Sequence, residues 1–321
     1  MKHNIKVVGA LVILFLISQI VGLALLVQNM DVVVAPTGEV LNVTHADTVI
    51  GPRPEVSGPD SLILVLVSIL IGTGLLLFFI KIGMIRLWKI MFFLAIFMTV
   101  TVALGVVINA ILAAALGLIA AILKIYKSNV VIHNMTEIFI YSGIALIFVD
   151  LFARDALAIV WVTILLLIIS VYDFIAVFKS KHMISIAKFQ TGSRVFAGLS
   201  IPYTIKSKSI KKLPSKVAKA TKQTKTSLVK KVREKEETIE AILGGGDIAF
   251  PLIFAGVVLD SLIRVGSMSK LGAFLTALII PIVVSIFLLL LFIKGKKGKY
   301  YPAMPVLTAG CLLGYAIILL I

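Results

Sequence analysis

Two aspartates carry the chemistry open to this chain. Asp173 lies within Ile168-Ile169-Ser170-Val171-Tyr172-Asp173-Phe174-Ile175-Ala176-Val177-Phe178, and Asp247 within Ile242-Leu243-Gly244-Gly245-Gly246-Asp247-Ile248-Ala249-Phe250-Pro251. Neither stretch contains a basic residue, and an ionised group inside an apolar span is costly, so each acid is a functional candidate by default. Two carboxyl groups brought close together cannot both ionise; they share one proton and titrate as a pair. Such a dyad can hydrolyse an amide. The ionised member takes a proton from water as its oxygen attacks the carbonyl carbon, and the protonated member donates to the carbonyl oxygen and later helps the nitrogen leave.

The neighbouring residues suit that task. Gly244, Gly245 and Gly246 leave the approach to Asp247 without side chains, so a substrate backbone can come close. Pro251 has no N–H and removes the helical donor from the carbonyl of Asp247. A third segment, Tyr301-Pro302-Ala303-Met304-Pro305, opens the final apolar stretch. Two prolines there also fit a plain helix start.

These residues must be positioned by a membrane protein. Of the 321 residues 60% are hydrophobic and 14% charged, against roughly 45–50% and 25% in soluble domains. Mean hydropathy is +1.13. Disorder, collagen and disulfide scaffolds are excluded, and the single Cys311 can form no intrachain disulfide. Uncharged stretches at about 7–27, 61–80, 90–106, 107–123, 138–153, 156–178, 241–263, 271–293 and 301–321 predict an all-α polytopic membrane protein with nine transmembrane helices. The third and fourth come from one uncharged run of 34 residues, Ile90 to Leu123. As one helix it would be about 51 Å long, against a hydrocarbon core of about 30 Å. Basic residues flank it on both sides, so it must cross twice, with a turn near Gly105 to Asn109. The first span is read as retained, because its 21 apolar residues exceed the roughly 7–15 of a signal peptide.

Loop charge sets the orientation. Lys2 and Lys6 place the N-terminus in the cytoplasm, and the basic connections after spans two, four, six and eight place the C-terminus outside. The chain divides into an N-terminal membrane part, 1–178, with an extracytoplasmic loop at 28–60; a basic cytoplasmic loop, 179–240; and a C-terminal membrane part, 241–321. The loop at 28–60 is Pro- and Gly-rich and is expected to lack regular structure. Of the chain's 31 basic residues, 16 fall between Lys179 and Lys235, which places most of the net charge of +16 in one loop. Its first half keeps aromatic residues that can pack near the membrane. Its second half has none, which argues against nucleic-acid binding and for a largely flexible segment drawn to anionic headgroups, with some helix from about Ser215 to Glu240.

With that topology the acids share a level. Asp173 is five residues from the inner end of span six, about 7.5 Å, and Asp247 six residues from the start of span seven at Ala241, about 9 Å. The remaining intraspan charges read differently. Asp150, Arg154 and Asp155, and the i, i+4 pair Asp260 and Arg264, sit at outer span ends and suit salt bridges at the headgroup level. His133 and Glu137 read as interfacial polar residues rather than zinc ligands. Gly310 and Gly314 make a small-residue face for helix packing.

Taken in order, these segments resemble the GxGD intramembrane aspartyl proteases, the presenilin and signal peptide peptidase family, in its compact prokaryotic and especially archaeal members. Tyr172-Asp173 resembles the family's YD motif, Gly244-Gly245-Gly246-Asp247 its GxGD motif, and Pro302-Ala303-Met304 its PAL motif. The resemblance implies Asp173 and Asp247 as the catalytic pair, with Tyr172, Gly244, Gly245, Gly246, Pro302, Ala303 and Met304 shaping the active site and binding substrate. Gly245 and Met304 depart from the family's usual leucines, which bears on substrate preference more than on chemistry. The expected activity is an aspartic endopeptidase of the cell membrane with its active site toward the cytoplasm. It would cut transmembrane-helix substrates, need no metal or cofactor, and bind membrane lipids but not nucleic acid, with a homo-oligomer allowed. The rival reading is a proton- or cation-coupled secondary transporter using the same two acids.

Overall fold

The computed structural model describes residues 5–36, 40–52, 56–180, 186, 189–190, 196–208, 234–266, 268–295 and 301–321. The helices are α1 (Ile5–Gln28), α2 (Gly58–Ile82), α3 (Ile85–Gly105), α4 (Ala110–Tyr126), α5 (Val130–Ala153), α6 (Ala158–Phe178), α7 (Gly246–Arg264), α8 (Lys270–Ala277), α9 (Ile279–Lys294) and α10 (Met304–Leu320). Among the described residues four strands, β1 (Met30–Val34), β2 (Val40–His45), β3 (Gly198–Lys208) and β4 (Glu234–Gly244), form two separate antiparallel pairs. By length and composition α1, α2, α3, α5, α6, α7 and the run α8–α9 can each cross a membrane, while α4 and α10 are shorter apolar helices of 17 residues.

Local chemistry sets the breaks between helices. The long uncharged run divides at 106–109, within the expected turn, because the Asn109 side chain accepts the Leu112 N–H at 2.9 Å and starts α4. Asn129 starts α5 in the same way, accepting from Ile132 at 2.8 Å. Gly83 ends α2 at φ +74°, a left-handed cap that few other residues adopt cheaply.

Two helices form the hub. In their most apolar stretches α5 and α7 are each 72% buried, against 11% for α2. Large side chains from α1, α5 and α7, including Phe15, Phe152 and Phe254, fill the space between them. Gly310 and Gly314 let α10 lie against α9: a Cβ at either would sit 3.1 Å and 2.9 Å from the Cα atoms of Val284 and Ile280.

Three expectations are corrected. Residues 28–60 do hold regular structure, since β1 pairs with β2 from Met30↔His45 to Val34↔Val40. The β-branched residues Val32 to Val34 and Val40, Val43 and Thr44 supply these paired strands. Residues 234–244 are a strand, not part of a helix beginning at Ser215 or a span beginning at Ala241; Ala241 and Leu243 are buried and Ile242 between them is not, which is a period of two. Residues 209–233 lie outside the described residues. The loop 179–240 is also less open than expected, because β3 and β4 pair over eleven positions from Gly198↔Gly244 to Lys208↔Glu234. Phe189 meets Trp88 of α3 and Phe196 stacks on His133 of α5, each with ring centroids 6.4 Å apart.

Candidate functional site

Asp173 lies in the last turns of α6, and Asp247 in the first turn of α7, one residue after the helix begins at Gly246. Because β4 takes up 241–244, the nine-ångström depth expected for Asp247 does not apply. The two helices nonetheless pack together, and the carboxyl groups lie within each other's electrostatic field. Both are buried, Asp173 to 4% and Asp247 to 9% exposure. Among the described residues neither forms a salt bridge.

Helix termini take the place of basic partners. The first N–H groups of a helix have no intrahelical acceptor and carry the positive end of its dipole. Asp173 accepts one of these: the Met304 N–H, at the start of α10, donates to its Oδ2 at 3.1 Å. Asp247 sits at the corresponding positive end of α7. A carboxylate here is stabilised by oriented peptide dipoles while keeping its lone pairs free of any cation. Such a group remains open to taking up a proton, as a general base must.

The other expected site residues divide. Pro302 and Ala303 run up to α10 without helical structure, Met304 opens the helix and Pro305 lies in its first turn. The segment is therefore both a helix start and a donor to Asp173. Gly244 closes β4, Gly245 bends the chain and Gly246 begins α7; Gly245 has ordinary helical angles of −63° and −36°. What its lack of a side chain permits is contact, since a Cβ there would lie 2.9 Å from the Tyr141 hydroxyl. Tyr172 turns toward α2, its hydroxyl 3.3 Å from Thr73 Oγ1, because neighbouring helical residues point about 100° apart. One turn before Asp173, Ser170 Oγ lies 2.7 Å from Thr308 Oγ1 and ties α6 to α10. Pro251 deprives the Asp247 carbonyl of its helical donor, and the next carbonyl, of Ile248, accepts from Gln19 Nε2 of α1 at 2.9 Å.

The outlying charges also divide. Asp150 pairs with Arg154 at 3.0 Å, and Asp260 with Arg264 at 3.0 Å, as expected. Asp260 further meets His45 Nε2 of β2 at 2.9 Å, which docks the hairpin on α7. Asp155 is a backbone acceptor and, among the described residues, forms no salt bridge; hydrogen bonds from the N–H groups of Leu157 (2.7 Å) and Gly58 (3.0 Å) hold its carboxyl below the usual range, the first contributing most. Glu137 faces the protein interior. It is wholly buried, paired with Lys124 and hydrogen-bonded to Tyr141 and the Gly198 N–H. Opposite charges flanking the short 127–129 connection are the one sequence signal that could have revealed this pairing.

The sequence model of the family described as signal-peptide peptidase, presenilin aspartyl protease matches residues 61–321. A solved structure of a presenilin family intramembrane aspartate protease, in a C222 crystal form, superposes with a TM-score of 0.52 at 17% identity, covering 98% of each chain. No curated protein sequence matches the chain.

Proposed function

The chain belongs to the signal-peptide peptidase and presenilin aspartyl protease family, and from that premise we propose that Asp173 and Asp247 are the catalytic dyad of a GxGD-type intramembrane endopeptidase. One observation carries the assignment: two buried carboxylates from adjoining helices, Asp247 in the first turn of α7 and Asp173 facing the first N–H of α10, with neither in a salt bridge among the described residues. One acid, ionised, removes a proton from water as the water oxygen bonds to the amide carbon. The other, protonated, donates to the carbonyl oxygen. The tetrahedral intermediate then collapses, the C–N bond breaks, and a proton passes to the departing nitrogen.

Substrates are single transmembrane helices that enter sideways from the bilayer and unwind locally, since helical amides are otherwise bonded and shielded. Pro302, Ala303 and Met304 shape the site beside Asp173, and Gly244 to Gly246 keep the approach to Asp247 clear. The protein crosses the cell membrane nine times, with its N-terminus and the dyad toward the cytoplasm, its C-terminus outside and its basic loop near anionic headgroups; nucleic acid is not a partner. No observation favours the transporter alternative.

The test is cleavage of a single-span reporter by purified protein reconstituted in lipid, with the parent chain beside Asp173→Ala and Asp247→Ala. Product from the parent alone is expected. Product from all three would trace the activity to a contaminant, and product from none would refute the protease reading.

A further inference from the structure

A second buried polar cluster lies beside the proposed dyad and takes no part in the chemistry above. Lys124 of α4 and Glu137 of α5 are 3% and 0% exposed. Lys124 Nζ donates to Glu137 Oε1 and also lies 5.9 Å from the centre of the Phe92 ring. Glu137 Oε2 accepts from the Tyr141 hydroxyl, one turn further along α5, and from the Gly198 N–H at 3.1 Å. The same face of α5 grips the start of β3 three more times. His133 Nε2 donates to the Gly198 carbonyl at 2.8 Å, while Asn134 donates to the Ser200 carbonyl at 2.8 Å and accepts the Ser200 N–H at 3.0 Å.

The pattern follows from strand geometry. Alternate residues of a strand present their N–H and C=O groups to opposite edges. Gly198 and Ser200 offer theirs to α5, so the helix stands where a further strand would stand, and the other edge of β3 is left for β4. Gly198 is paired with Gly244 and has φ +147°, a conformation L side chains rarely adopt; a Cβ there would also strike the Leu243 carbonyl. From Gly244 the chain passes through Gly245, which abuts the Tyr141 hydroxyl, and reaches Asp247 two residues later. The cluster therefore touches the glycine run twice, through the Gly198–Gly244 register and through Tyr141.

We propose that Glu137 is a positioning residue for Asp247: one buried carboxylate, held by Lys124, fixes β3 and Tyr141 and so sets the place of the first turn of α7. The kinetic half of this rests on the protease reading, whereas the anchoring half does not. A merely structural ion pair and a positioning acceptor respond differently to two double variants. Glu137→Leu with Lys124→Met removes both charges at similar volume, an exchange folds often tolerate, but leaves no acceptor for Gly198 and Tyr141. Glu137→Gln with Lys124→Met also removes both charges and keeps one oxygen where Oε2 stood.

The experiment measures reporter kcat and KM and backbone hydrogen exchange on full-length protein in lipid. The Leu/Met pair of substitutions is expected to lower kcat about 10–100-fold, with KM within about 3-fold, as displacement of a reacting group by about an ångström does. Exchange should quicken in segments 198–203 and 241–247 and not in α6. The Gln/Met pair should recover most of both. Should the Leu/Met protein not fold, Tyr141→Phe, which deletes one hydroxyl, takes its place, with a kcat loss of several-fold and faster exchange at 241–247 expected. Equal kinetics for the two double variants, unchanged exchange in those segments, or exchange quickened throughout the bundle would each overturn the proposal. Failure looks different for the two readings: a parent chain that cuts no reporter sinks the protease assignment, while the exchange comparison still decides whether Glu137 anchors β3 and the glycine run.

Discussion

Helix α7 carries two buried carboxylates, and they are held in opposite ways. Asp260, 2% exposed, receives a two-pronged bond from Arg264 at i+4 and a third contact from His45. Asp247, thirteen residues earlier and so about 20 Å along the helix, has Pro251 at i+4 and no salt bridge among the described residues. Burial alone does not mark a catalytic acid. A carboxylate whose lone pairs are taken by cations is a fastener, and one supported only by peptide dipoles can still exchange a proton. The proline is informative for the same reason: it removes a helical hydrogen bond at the point where Asp260 has its guanidinium.

The comparison would break most visibly in catalysis. Asp247→Asn keeps the shape and is expected to lower reporter turnover at least about 1,000-fold, toward the upper end of what a general acid or base contributes. Its unfolding midpoint should stay close to that of the parent, because no ion pair is lost. Turnover within 10-fold of the parent would erase the distinction between the two acids. Asp260→Ala is expected to do the reverse, costing about 2–4 kcal/mol of stability by stranding Arg264, at the low side of the usual range because that side chain is 31% exposed. Denaturant titration in detergent and turnover per folded molecule measure the two effects, with turnover expected within about 3-fold of the parent. The smallest change, His45→Ala, removes one of three contacts to Asp260 and should cost about 1–2 kcal/mol with turnover unchanged. A loss as large as that from Asp260→Ala would mean that the hairpin, rather than Arg264, is what Asp260 holds.

Features set by near neighbours were legible in the sequence. Asn109 marks its turn because its own side chain caps the helix it starts, and Asp260 announces its partner four residues on. Asp173 and Asp247 stood out because their flanks are apolar. What could not be read depends on residues far apart. Ala241 to Leu243 continue smoothly into α7 in hydropathy, and only pairing with 199–201 makes them a strand. The burial of Glu137 could not be read because its cation lies on the preceding helix and its remaining partners include a backbone N–H 61 residues away. The Pro and Gly content of 28–60 hides the β1–β2 pairing, for which the β-branched residues of the two strands are the stronger signal.

The bond from Met304 to Asp173 has a consequence for the order in which the protein is made. Asp173 and Asp247 emerge from the ribosome and enter the bilayer before α10 exists. Through that interval Asp173 lacks the peptide group that supports it. The two acids can therefore pass into the membrane, among other newly made helices, before they are fully supported, and the proposed site is complete only when the segment beginning at Met304 folds against α6.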